Sequence, residues 1–280
     1  MDGHERADVV DYWQRFFPAT MAEFERRMAR YEGPELRHVA PNFAPGEHEI
    51  VPNFHDESTF HGNEKLHSTW LQKDEQPLQK KGHGKLIHAS AFINPKTSCL
   101  IYIDKSRFIC DSMKIIYPGS QGDAWWDTDQ LLVQMADAIE VFELAHLGKQ
   151  ALFIFDQSSA HASLPPDTFK AFEMNKSDGG KQHKQHDTVI PESNPVAEHH
   201  GKAQKMTLKN GQPKGMQRVL EERGFNVAKL HAKCSPVCPI ENTNCCMAHL
   251  LSQQDDFKNQ PSMLETLIHS QGHFSSKISL

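Results

Sequence analysis

The sequence predicts an α/β fold: a mixed β-sheet with flanking helices. Three observations carry that prediction. Residues 48–117 read as a series of short strands separated by turn residues. Residues 127–146 form an amphipathic helix, with Leu131, Leu132, Met135, Ile139, Phe142 and Leu144 as its apolar positions. The run Ala151-Leu152-Phe153-Ile154-Phe155 is continuously apolar, the pattern of a strand buried on both faces. Strands, a crossover helix and a further buried strand make a mixed sheet.

The elements follow in order. Residues 1–32 make an N-terminal helical segment. Val9, Val10, Trp13, Phe16 and Phe17 share a broad face over 4–31, Pro18 interrupts it, and Met21, Phe24, Met28 and Tyr31 continue the spacing. This suits an ordinary packing helix pair or one that forms a homodimer. Residues 33–47 carry Pro and Gly and read as a linker. The core spans 48–156, with strands expected at 49–55, 66–72, 86–93, 100–103 and 113–117. Asp127-Thr128-Asp129 offers a cap to the helix. Residues 157–233 form a polar insertion rich in His and Lys, irregular and partly mobile, ending with a helix at 212–223 closed by Gly224. Residues 234–280 hold a Cys-rich segment, a helix at 261–269 and a short polar tail, an incomplete C-terminal part.

Composition bounds the function. The formal net charge is −6 with 18 His neutral, so no global basic field attracts nucleic acid. No run approaches the ~20 apolar residues of a membrane span. No apolar signal region follows the charged start, and six Cys do not suggest a secreted disulfide scaffold. The chain therefore reads as soluble and intracellular, with no membrane partner.

Two apolar runs reach an aspartate, Ile50-Val51-Pro52-Asn53-Phe54-His55-Asp56 and Ala151-Leu152-Phe153-Ile154-Phe155-Asp156. Carboxylates on neighbouring strands can converge on Mg²⁺ or Mn²⁺, which prefer oxygen ligands and take substrate phosphates. Two such ions about 4 Å apart would activate a water or 3′-hydroxyl and stabilise the leaving oxygen. The plainer reading is that each Asp caps a following turn.

The segment His55-Asp56-Glu57-Ser58-Thr59-Phe60-His61-Gly62-Asn63 resembles the first acidic motif of mariner-like DDE transposases, in a branch that reads H-D-E-S-T-F-H. Phe153-Ile154-Phe155-Asp156-Gln157-Ser158-Ser159-Ala160-His161 resembles that branch's F-I-F-D-N-x-x-x-H. The stretches His4-Glu5-Arg6-Ala7-Asp8-Val9-Val10, Leu208-Lys209-Asn210-Gly211-Gln212-Pro213, Lys214-Gly215-Met216 and Glu221-Glu222-Arg223-Gly224 also match it in order. The resemblance implies an RNase H-like fold. It implies Asp56 and Asp156 as catalytic metal ligands for DNA cleavage and joining, DNA as partner, and a nuclear site of action. Three departures qualify it. Gln157 replaces Asn. The family's helix-turn-helix region is expected to be missing before the lead-in. The third acid, in a segment like E-L-N-x-I-E-x-x-W beyond a Gly-His pair, has no counterpart after Gly272-His273. Glu265 precedes that landmark, and Glu57 should point to the opposite strand face. The expectation is a degenerate DDE endonuclease or transposase domain, weak or inactive. The alternative is a non-catalytic DNA- or protein-binding module of the same origin.

Cys234, Cys238, Cys245 and Cys246 form C-x3-C-x6-C-C, flanked by His231 and His249. Such a set could hold a structural Zn²⁺, with four Cys or with a His in place of one; reduced loop cysteines are the other reading. Lys80, Lys81 and Lys85 form one basic stretch, and Lys205, Lys209 and Lys214, with Lys202 and Arg218, form a second. Either could touch phosphates. Of Trp125 and Trp126, one could anchor a partner or stack on a base.

Overall fold

The computed structural model describes residues 7–63, 82–95, 97–156, 158–239 and 242–278. The expected strand at 66–72, the residues His4, Glu5 and Arg6, Lys80, Lys81 and Gln157 lie outside them. The chain divides into two compact units, Met1–Ser163 with Met263–Leu280, and Leu164–Ser262.

The first unit opens with α1 (Ala7–Asp11), a wide π turn over Tyr12–Phe16, and α2 (Phe17–Glu25). Pro18 does not interrupt this path. The Phe17 N–H bonds the Tyr12 carbonyl five residues back, so the ladder is already widened where proline would clash and lack a donor. The helical spacing expected to run to Tyr31 ends with α2 at Glu25: β1 (Arg30–Glu32) closes that segment as a strand and pairs antiparallel with β2 (Arg37–Val39) inside the expected linker.

The strand β3 (Ile50–His61) is twelve residues long and does not stop at Asp56. Its second half is held by β4 (Leu86–Asn94), antiparallel from Phe54↔Ile93 to His61↔Leu86. The next strands are β5 (Ser98–Cys99), β6 (Ile101–Ile103), β7 (Ile109–Asp111) and β8 (Lys114–Ile116). β5 and β8 pair with β4, whereas β6 and β7 form a separate ribbon. The helix α3 (Thr128–Ala145) starts with a reciprocal capping box: Asp127 accepts from the Gln130 N–H, and Gln130 accepts from the Asp127 N–H. Then comes β9 (Gln150–Asp156), whose residues 151–155 are all buried.

The second unit is mostly irregular. It contains β10 (Thr188–Val189), β11 (Ala203–Gln204), α4 (Met216–Glu222), α5 (Met247–Ser252) and α6 (Asp255–Lys258). Its apolar residues, sparse in sequence, converge on one core that includes Phe169, Met206, Met216, Leu220, Val227 and Leu251. The Cys-rich segment packs on this core, so it groups with the insertion and not with the C-terminal part. Arg223 is fully buried here. It makes two bonds to the Asp256 carboxylate, at 2.8 and 2.6 Å, and a third to Gln204.

The first unit resumes with α7 (Met263–Ser270) and β12 (Phe274–Ile278). The expected polar tail is therefore a strand. It pairs parallel with β9 from Phe274↔Leu152 to Ile278↔Asp156, and Phe274 and Ile278 join the apolar patch of α2. The resulting sheet has the order β12-β9-β3-β4-β5, with β12, β9 and β3 parallel and β4 reversed. This is a mixed sheet, with helices against both faces. One face packs on α3 and α7 through Leu131, Met135, Phe142, Phe153, Leu264 and Ile268. The other packs on α2 through Met21 and Phe24. No helix among the described residues is long and apolar enough to cross a membrane.

Candidate active site

The parallel ladder between β3 and β9 runs from Ile50↔Gln150 to Phe54↔Ile154, a constant offset. Asp56 and Asp156 each lie two residues beyond its last pair, at equivalent positions. Side chains alternate along a strand, so both acids belong to the face that carries Ile50, Leu152 and Ile154. Neighbouring strands of a sheet lie about 5 Å apart, so equivalent positions on β3 and β9 are adjacent in the sheet. Rigid backbone supplies this placement: β9 is the most buried strand of the sheet.

Each carboxylate has one oxygen held by the protein. Asp56 Oδ1 accepts from the Glu57 N–H at 2.8 Å. Asp156 Oδ1 accepts from His161 Nδ1 at 2.6 Å and from the Ser158 N–H at 3.2 Å. Among the described residues neither Oδ2 has a hydrogen-bond partner, and no Lys or Arg pairs with either acid. Carboxylate oxygens are hard donors, the kind that suit Mg²⁺ or Mn²⁺.

His161, which is buried, is oriented in turn. Its Nε2 lies 3.2 Å from His55 Nδ1, and His55 Nε2 lies 2.8 Å from Ser90 Oγ. Ser90 Oγ is 2.7 Å from Gln134 Oε1, and the Gln134 amide donates to the Ser90 and Ser112 carbonyls. Ser90 donates to Gln134 Oε1, so the neutral His55 ring donates from Nε2 to Ser90 Oγ and turns Nδ1 towards His161 as an acceptor. Burial, with the neighbouring His161 as a second cause, lowers the His55 pKa to about 4, so that ring is neutral at ordinary pH. His55 also sits against the rings of Phe92 and Phe155, at centroid distances of 4.7 and 5.5 Å. The chain therefore fixes one rotamer of the Asp156 carboxylate from inside the core.

His55, Glu57 and His161 also converge closely enough to hold an ion. Every nitrogen of both rings already faces a protein partner, and Glu57 accepts from Trp126 Nε1 at 2.8 Å. A cation there would have to displace this network, so positioning suits it better than ligation. As expected, Glu57 lies on the face opposite Asp56. Glu265, on the first turn of α7, pairs with Lys277 at 3.1 Å. Among the described residues no third carboxylate joins Asp56 and Asp156.

The basic residues divide between the units. Lys85 is exposed and lines a concavity with His83, Tyr117 and the exposed Trp125 in the first unit. Lys202, Lys205, Lys209 and Lys214 line another in the second unit. Lys214 is already engaged by both oxygens of Glu222, at 2.7 and 2.8 Å. In the sequence His55 and His161 stand as motif positions without an assigned role, and Ser90 and Gln134 belong to no motif. A usable signal existed: Gln134 stands polar within the apolar stripe of Leu131, Met135, Ala138 and Phe142.

Fold and site together define a mixed α/β unit with two acids at equivalent positions on adjacent parallel strands. Solved structures similar to this chain include three complexes. They are the mariner Mos1 paired end complex with Mg (13% identity, TM-score 0.28), the Mos1 strand transfer complex (12%, 0.25) and a pre-cleavage Mos1 transpososome (11%, 0.26). Each match covers 41% of this chain, and 30%, 30% and 31% of the solved chains respectively. No protein-family model and no curated protein matches the chain.

Proposed function

We propose that this chain is a transposon-derived DDE endonuclease or transposase domain that cleaves and joins DNA strands in the nucleus with Mg²⁺ or Mn²⁺. The carrying observation is the equivalent, same-face placement of Asp56 and Asp156 beyond the β3–β9 ladder. The two acidic motifs and their neighbours, matched in order along the chain, support the same reading.

Asp56 and Asp156 would hold the cation through their carboxylate oxygens. When bound, the metal supplies Lewis-acid activation of the attacking and leaving oxygens of a phosphodiester. His161 keeps the Asp156 carboxylate in one orientation, and Ser158 reinforces it through its N–H. Exposed Lys85 on the first unit, and Lys205 and Lys209 on the second, are suited to DNA phosphates. With two carboxylates in the described site, the expected activity is weak. The test is Mn²⁺-dependent nicking of supercoiled DNA by the full chain and by Asp156→Ala. Slow nicking that disappears in the variant supports the catalytic reading. Equal nicking in both overturns it, leaving the non-catalytic binding module.

A further inference from the structure

We propose that the second unit contains a tetrahedral Zn²⁺ site made by Cys234, Cys238, Cys245 and Cys246, with His231 and His249 as outer donors and not as ligands. The proposal does not depend on the catalytic reading of the first unit. The four Sγ atoms all lie within 4.8 Å of one another, and all four cysteines are free. The Cys238 and Cys246 sulfurs are 3.7 Å apart. Thiolates at a Zn–S distance of ~2.3 Å around a tetrahedral centre would stand about 3.8 Å apart. That spacing suits a shared cation, whereas a disulfide would need about 2 Å.

The surroundings separate ligands from supports. His231 Nε2 contacts Cys234 Sγ at 3.3 Å, and His249 Nδ1 contacts Cys245 Sγ at 3.2 Å. The His249 N–H points at Cys246 Sγ, 3.4 Å away. The last is an N–H···S bond, and with the ring proton on the facing nitrogen both imidazoles would donate to sulfur in the same way, the arrangement by which outer groups stabilise thiolate charge and orient ligands. Adjacent Cys245 and Cys246 both reach the cluster because the backbone turns between them. Cys246 is extended and caps α5, while Cys245 precedes it in the irregular segment. Two backbone bonds dock the start of α5 beside the first cysteine pair: Met247 N–H to the His231 carbonyl and Ala248 N–H to the Ala232 carbonyl, both 3.0 Å. Soft thiolates select zinc over the hard cations suited to Asp56 and Asp156. Each ligating thiol gives up its proton to solvent on loading, so uptake is pH-dependent. Because Cys246 is buried in the core of this unit, the ion would fasten an otherwise irregular segment to that core.

The full chain, purified without chelator, is expected to carry one zinc per chain by plasma mass spectrometry. Replacing zinc with Co²⁺ should give thiolate charge-transfer and intense tetrahedral d–d absorption. Cys238→Ser should weaken Zn²⁺ affinity at least tenfold, whereas His231→Ala and His249→Ala should keep stoichiometric metal. The Co²⁺ spectrum is read on the unmutated chain, so the test survives a variant that fails to fold. Three results would overturn the proposal: an unmutated chain that takes up no Zn²⁺ or Co²⁺, Cys238→Ser with unchanged affinity, or loss of stoichiometric metal in either His variant.

Discussion

The two units reach a folded state by different means. In the first, a sheet with fixed register buries the continuous apolar strand β9 under α3 and α7. In the second, helices are short and strands are two residues long, so turns, side chains and a buried ion pair take over that work. The contrast teaches that sparse regular structure need not mean an unpacked segment. It also locates each unit's vulnerability: apolar packing and a neutral buried histidine in the first, charges and thiols in the second.

The largest separation between the units should come from chelation. Structural zinc in small thiolate sites contributes on the order of 10 kcal/mol of folding energy. Stripping metal at neutral pH should abolish amide-exchange protection in the core of Leu164–Ser262 while β9 and α3 stay protected. Equal loss in both units would dissolve the contrast. Next is Arg223→Met, which strands Asp256 in a site where its side chain is 12% exposed. Breaking such a pair costs roughly 3–5 kcal/mol. Limited proteolysis should then cut the second unit first, and intact second-unit resistance would count against the role given to that pair.

A smaller effect runs the other way and falls on the first unit. His55 is neutral when folded, with its pKa at about 4 against an ordinary 6.5. The unfolded chain binds more protons between these values, so the stability is fully present above pH 6.5 and is lost as pH falls towards 4. The span corresponds to about 3 kcal/mol. Burial lowers the His273 pKa too and adds the same sign. Urea unfolding of the first unit should weaken over that window, and His55→Gln should flatten the slope. An unchanged slope would remove His55 as the cause.

Regular elements were legible in the sequence where one periodicity dominated. The expected 86–93, 127–146 and 151–155 correspond to β4, α3 and β9 within a residue or two. The extension of β3 past Asp56 was not legible, because Glu57–His61 forms an exposed arm whose order comes from its partner β4. β12 was missed because Phe274 and Ile278 flank only Ser, Ser and Lys, and parallel pairing to β9 supplies what local pattern lacks. In the site, the two acids stood out by motif. The chain from Gln134 through Ser90, His55 and His161 did not, since it joins four elements that only folding assembles. The core of the second unit was hidden for the same reason: its apolar residues are spread over about ninety positions with no period.

The central claim is that Asp56 and Asp156 act together on one cation. Mn²⁺ titration followed by electron paramagnetic resonance tests it directly, on the full chain first loaded with zinc. Asp56→Ala and Asp156→Ala should each weaken the Mn²⁺ site at least tenfold, and the double variant should be little worse than either single one. Unchanged Mn²⁺ affinity in both single variants would contradict the account.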